Sequence, residues 1–140
     1  MIVDASVGAK WLISESDREL ALRLLARLDL AAPDLIKLEI GHLLGKRFRR
    51  GDMSAHLIRD AWAELEEISV RLRPTGDFFG RSFDLSYRLR AAIYDCVYLA
   101  LAETEDDVLV TSDERFVRAV RQSGDPGISR RVRLLRELAP

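Results

Sequence analysis

The chain has 140 residues, 48% hydrophobic and 32% charged, a balance that fits a folded soluble protein and excludes a disordered one. No apolar run approaches the roughly 18–20 residues that cross a bilayer, which excludes a membrane-spanning helix. The formal net charge of −1 argues, taken alone, against a nucleic-acid binder.

The opening "MIVDAS" lacks the basic flank and long apolar segment of a signal peptide. It predicts a strand, "MIVDA", from the first residue. A helical period over residues 16–28 puts Leu20, Leu24, Leu25 and Leu28 on one face. "LAAPD" at 30–34 reads as a short strand ended by Pro33, which also suits a first helical turn. Helices are expected over 35–50, stopping near Gly51, and over 54–68, and the alternation of "SVRLR" at 69–73 predicts another strand. After a turn at "PTGD" come a helix near 80–88, an apolar helix over 93–103 and the strand "VLVT" at 108–111. A helix over 114–122, a loop at "GDPG" and a last strand, "RVRLL" at 131–135, complete the pattern. No repeat, low-complexity tract or linker divides it, so one domain over residues 1–140 is expected. Strands alternating with helices predict an α/β fold, with a parallel sheet covered on both faces. In such sheets the chemistry gathers beyond the carboxyl ends of the strands, at the point where strand order reverses.

Four carboxylates stand in awkward places. Asp4 follows "MIV" and Asp113 follows "VLVTS", each at the carboxyl end of a strand. Asp4 suits a helix N-cap, and "TSDE" matches a capping box, so both have a structural explanation. Glu39 shares a helix face with Leu35, Ile36, Ile40 and Leu43, where an unpaired charge costs several kcal/mol. A buried arginine partner is the structural alternative. Asp95 heads the segment "CVYLALA", apolar around the whole helix and therefore buried on all sides. It suits a cap and the helix dipole, and equally a cleft at the end of a buried helix.

If the sheet gathers these acids, either a proton or a cation must neutralise them. Oxygen-only ligands favour Mg²⁺ or Mn²⁺, and two such ions about 4 Å apart are the usual device for cleaving phosphodiesters. His42, His56 and Cys96 show no zinc-ligand spacing. No GxxxxGK[ST], GxGxxG or GxSxG occurs. Arginine outnumbers lysine and clusters in "KRFRR" at 46–50, where Arg47, Arg49 and Arg50 are candidates for holding phosphate. Cys96, alone in an apolar run, cannot form an internal disulfide and points to a reduced, cytoplasmic setting.

"MIVDASVGAKWLISE", "APDLIKLEIGHLL", "IYDCVYLALAE" and "VLVTSDERF" resemble, in order and spacing, the blocks of PIN-domain nucleases, above all the VapC-like toxins of toxin–antitoxin pairs. The likeness runs from Met1 to about Phe116. It implies a three-layer α/β/α sandwich on a five-stranded parallel sheet, with the helical pair over residues 35–68 acting as a clip. It further implies that Asp4, Glu39, Asp95 and Asp113 bind one or two Mg²⁺ or Mn²⁺ ions and cleave RNA to 5′-phosphate and 3′-hydroxyl ends. Ser6 and Thr111 match hydroxyl residues that orient the acids or water. A homodimer silenced by a small VapB-like antitoxin is implied as well. One position departs: His42 stands where the second block usually has Asn, and either supports the site or weakens it. A housekeeping PIN ribonuclease without an antitoxin, and a non-catalytic binding module on the same fold, are the alternatives.

Overall fold

The computed structural model describes residues 1–138. In chain order the strands are β1 (Ile2–Val3), β2 (Ala31–Pro33), β3 (Arg71–Arg73), β4 (Leu109–Thr111) and β5 (Val132–Leu134). All pair in parallel, in the order β3-β2-β1-β4-β5. The helices are α1 (Ala5–Leu12), α2 (Arg18–Leu24), α3 (Ile36–Arg49), α4 (Ala55–Glu67), α5 (Phe79–Leu89), α6 (Ile93–Thr104), α7 (Glu114–Gln122) and α8 (Pro126–Ser129). Single 3₁₀ turns occupy Thr75–Phe78 and Leu135–Leu138.

A parallel sheet needs cover on both faces, because each crossover lays a helix over it. Here α6 lies across β1, β2 and β4 with α5 against it, while α1 packs on β4 and meets α2, α3 and α4. The result is the three-layer α/β sandwich expected. Ile2, Val3, Leu109, Val110 and Val132 fill the centre of the sheet and are buried. Every residue of α6 from Cys96 to Ala102 is buried too, as its all-round apolarity requires. At the edge, Arg71 and Arg73 of β3 converge on Glu105, at 3.0 and 2.6 Å. Charged edge side chains of this kind discourage pairing with another sheet.

The chain departs from the periodic reading in several places, each with a cause. Helix α1 follows β1 at once, as Asp4 read as a cap allows, although the periodic pattern placed no helix before residue 16. Its sequence "ASVGAKWL" is buried almost all round, so it has no polar face to reveal a helical period. Gly8 lets it approach α3: a Cβ there would lie 2.6 Å from Ile40 Cδ1. Helix α2 spans only Arg18–Leu24, buries Ala21 and Leu24, and leaves Leu28 fully exposed beyond its end. Leu28 therefore does not belong to the apolar face assigned to it. The "PTGD" turn opens a 3₁₀ turn, and α8 begins within the "GDPG" loop and runs past it, started by Asp125 accepting from Gly127 N–H. Pro126 at the first turn of that helix has no amide hydrogen to leave unpaired.

β1 sits at the centre of the sheet, between β2 and β4. The chain builds outward from β1 to β3 on one side, then returns beside β1 as β4. Strand order thus reverses between β1 and β4, and a crevice opens beyond their carboxyl ends.

Candidate active site

Asp4 leaves the end of β1 and caps α1, accepting the Val7 amide at 3.1 Å on Oδ1. The same oxygen accepts the Ser6 hydroxyl at 2.6 Å. Ser6 Oγ in turn accepts the Ser112 amide at 2.8 Å and lies 3.4 Å from Thr111 Oγ1. Thr111, fully buried at the end of β4, accepts the Asp113 amide at 2.9 Å. The ends of the two central strands are therefore tied through two hydroxyls, one of them bonded directly to a carboxylate.

Asp113 caps α7, accepting the Arg115 and Phe116 amides at 2.8 and 3.0 Å. The capping box expected of "TSDE" does not form, because Asp113 and not Thr111 is the cap. Asp95 also lacks the expected capping bond. Helix α6 begins after Ala92, so Asp95 falls a turn inside it, without a side-chain cap bond. Its place in the first turn still meets the positive end of the helix dipole. Among the described residues Glu39 has no arginine partner; it accepts the Tyr98 hydroxyl at 2.7 Å.

Asp4, Glu39, Asp95 and Asp113 all line one cleft of about 650 Å³. Ser6 and His42 line it as well, together with the apolar side chains of Leu35, Leu38 and Leu43. His42 is exposed at its rim. Thr111 lies just beneath, reaching the cleft through Ser6. Of the three candidate arginines none lines this cleft. Arg47 is ion-paired with Glu15, and Arg49 and Arg50 are exposed.

The electrostatics show what the cleft costs. Burial pushes the Asp4 carboxyl above its ordinary value, although the Ser6 and Thr111 hydroxyls and the Val7 amide pull it back. Burial raises Glu39, and the charge of Asp4 adds to this against the opposing Tyr98 bond. Asp95 is pushed up to about 7, first by burial and then by the charges of Asp113, Asp4 and Glu39. Three of the acids are thus held in a region that resists their ionisation. Burial, then the charge of Glu39, drives the Tyr98 hydroxyl well above its usual range, so it stays a donor. Four oxygen-only donors facing one cleft fit a hard divalent ion in kind. Among the described residues no three His, Cys, Asp or Glu side chains already stand close enough to grip an ion.

The profile of the PIN domain family matches residues 1–122. The chain belongs to the PIN-domain family. Among its relatives, Ribonuclease VapC3 of Mycobacterium tuberculosis (strain CDC 1551 / Oshkosh) is 33% identical over 120 residues, covering 85% of this chain and 86% of the relative. Ribonuclease VapC3 of Pyrobaculum aerophilum is 28% identical over 121 residues, covering 83% and 91%. Ribonuclease VapC1 of M. tuberculosis (strain CDC 1551 / Oshkosh) is 28% identical over 138 residues, covering 96% and 97%. The chain is therefore similar to VapC-type PIN proteins along most of its length.

Tyr98 was missed by the sequence reading, which counted it among the apolar residues of α6. It lies three residues after Asp95, so both project from one face of the helix. That spacing, with a hydroxyl in an otherwise apolar run, is the signal that was available. Tyr94 also lines the cleft and is exposed, one residue before Asp95.

Proposed function

We propose that the chain is a divalent-metal-dependent endoribonuclease, the toxin of a two-protein toxin–antitoxin pair. The observation that carries this reading is the set of four carboxylates, from two helices and the ends of two strands, facing one cleft in which neighbouring charges add to burial in raising Glu39 and Asp95. A cation resolves that conflict. Asp4, Glu39, Asp95 and Asp113 would hold one or two Mg²⁺ or Mn²⁺ ions, which supply an activated water and charge neutralisation for phosphodiester cleavage. Cleavage would leave 5′-phosphate and 3′-hydroxyl ends.

The chain's own groups prepare the site. The Ser6 hydroxyl and the Val7 amide both fix Oδ1 of Asp4. The Tyr98 hydroxyl fixes Glu39 Oε1 in the same way. The buried body of α6 keeps the backbone of Asp95 from drifting, as a pre-organised ligand requires. Leu35, Leu38 and Leu43 form an apolar wall of the cleft, which lowers the local dielectric beside the acids.

Similarity to proteins named Ribonuclease VapC supports RNA as the substrate, and a small VapB-like protein that silences the site and a homodimer as the working form belong to the same proposal. The separation of the carboxylates favours a second reading, a non-catalytic binding module on the PIN fold. Expression in a bacterial host distinguishes them. The chain alone should arrest growth with loss of intact RNA, and Asp95→Asn should not. Equal arrest by both would reject the nuclease reading.

A further inference from the structure

A second pocket, of about 300 Å³, adjoins the acidic cleft and shares Ser6 and Leu43 with it. Its character is the reverse. Lys10, Lys46, Arg47 and Arg50 line it, with Glu15 as the one carboxylate. Four cations against one anion leave it strongly positive, in a chain whose formal net charge is −1.

The cations are held in place. Lys10, on α1, is only 6% exposed. Its ammonium donates to the Ser16 carbonyl at 2.9 Å and reaches Glu15 at 3.5 Å. An ammonium has three donors, so one is left for the pocket. Arg47 pairs with the other oxygen of Glu15, so one carboxylate anchors two cations and neutralises only one charge between them. Lys46 and Arg50 are exposed and have no ion pair among the described residues. Arg49 does not line the pocket.

An independent observation points to a ligand. The Ser112 hydroxyl is buried, has no hydrogen-bond partner among the described residues, and belongs to a residue lining this pocket. Buried hydroxyls without partners are rare, and one on a residue that shares a pocket with four cations suits an oxyanion. A phosphate seated here would have its charge neutralised by the lysine and arginine side chains, and would accept from Ser112 once a rotation about the serine's Cα–Cβ bond turned the hydroxyl outward.

We infer that this pocket is a phosphate subsite, which holds an RNA backbone phosphate neighbouring the one presented to the acidic cleft. This rests on the ribonuclease reading for its substrate, but not for its geometry. The subsite solves a problem the acidic cleft creates: carboxylates repel a polyanion, and a cationic anchor alongside brings the strand to them. Ser6 stands on the boundary, bonded to Asp4 on one side and to the Ser112 amide on the other.

The test uses Lys46→Gln with Arg50→Gln, both exposed positions, Ser112→Ala as a separate variant, and Arg23→Gln as a control outside the pocket. Binding of a labelled mixed-sequence single-stranded RNA is measured in EDTA over a salt series, and cleavage of the same RNA in Mg²⁺. The double variant should bind at least about fivefold more weakly at low salt, and its salt slope should fall by about 0.7, the value for one phosphate on a single strand. Ser112→Ala should weaken binding without changing the slope, and Arg23→Gln should match the parent. In cleavage the double variant should raise KM and keep kcat. Parent-like binding by the double variant, an equal loss in Arg23→Gln, or retention of poly-glutamate in place of RNA would overturn the subsite. A parent that binds RNA through Lys46 and Arg50 but never cleaves it would instead overturn the nuclease reading and leave the subsite standing.

Discussion

The Tyr98 hydroxyl donates to Glu39 Oε1 across 2.7 Å, joining the buried helix α6 to α3. Two helices that each carry an acid of the cleft are thereby locked at one point. Tyr98→Phe removes the donor and keeps the ring. Glu39, already raised by burial, then loses the bond that lowers it and resists ionisation further. The variant should lose about 1–3 kcal/mol of stability, the usual cost of leaving a buried group unsatisfied. RNA cleavage should fall about tenfold or more, as expected when a positioning bond is lost. Thermal melting and initial cleavage rates check both.

Asp95 makes the metal-free protein sensitive to pH. Its carboxyl is pushed up to about 7 in the fold, above an ordinary value of 3.8. Between those values the folded chain holds a proton that the unfolded chain has released. Stability therefore falls as pH rises through this window, and the loss is complete above about pH 7. In EDTA the melting temperature should drop between pH 5 and pH 8, by the order of one ionisation. Asp95→Asn, which has no charge to acquire, should flatten that drop. An equal drop in the variant would place the pH sensitivity elsewhere.

Mg²⁺ should counter the same effect. A cation that binds only the folded chain stabilises it by about 2.7 kcal/mol at 100-fold excess over Kd. Because protons compete for the same oxygens, the rise in melting temperature on adding Mg²⁺ should be larger at pH 8 than at pH 5. Asp95→Asn should show little rise at either.

Gly8 sets the distance between α1 and α3. A Cβ there would stand 2.6 Å from Ile40 Cδ1, inside any contact distance real side chains adopt. Gly8→Ala should therefore destabilise the fold by about 1–3 kcal/mol, as overpacking does. It should also shift α3, which carries Glu39, and lower cleavage. Ile40→Val removes the clashing methyl, and the double variant should recover part of both losses.

The gathering of the four acids in one cleft was legible in the sequence because charge in an apolar context is a strong signal. Asp95 before seven buried residues, and Asp4 and Asp113 after buried strands, all declared themselves in this way. The parallel sheet followed from alternation of short apolar runs with helical stretches. What was not legible depended on surroundings that no local pattern carries. Helix α1 hid because burial on nearly all sides erased its period. The face drawn through Leu28 failed because the helix ends at Leu24, and periodicity alone does not say where a helix stops. Asp95 appeared to be a cap because sequence shows which residue can cap, but not at which residue the helix begins. The partner of Glu39 was a tyrosine hydroxyl 59 residues away, a contact only the fold creates. Ser112 and Lys10 were likewise silent until the fold placed them on one pocket.

The central claim is that the acidic cleft cuts RNA with a bound divalent ion, and one assay reaches it directly. Purified parent and Asp95→Asn are incubated with RNA in Mg²⁺ and in EDTA, and the new 5′ ends are scored for a terminal phosphate. The parent should produce 5′-phosphate ends in Mg²⁺ and none in EDTA, while folded Asp95→Asn should fall by about 100-fold or more, the scale of losing an essential catalytic group. Cleavage by the parent that persists in EDTA, or an Asp95→Asn variant that cuts as fast as the parent, would contradict the account.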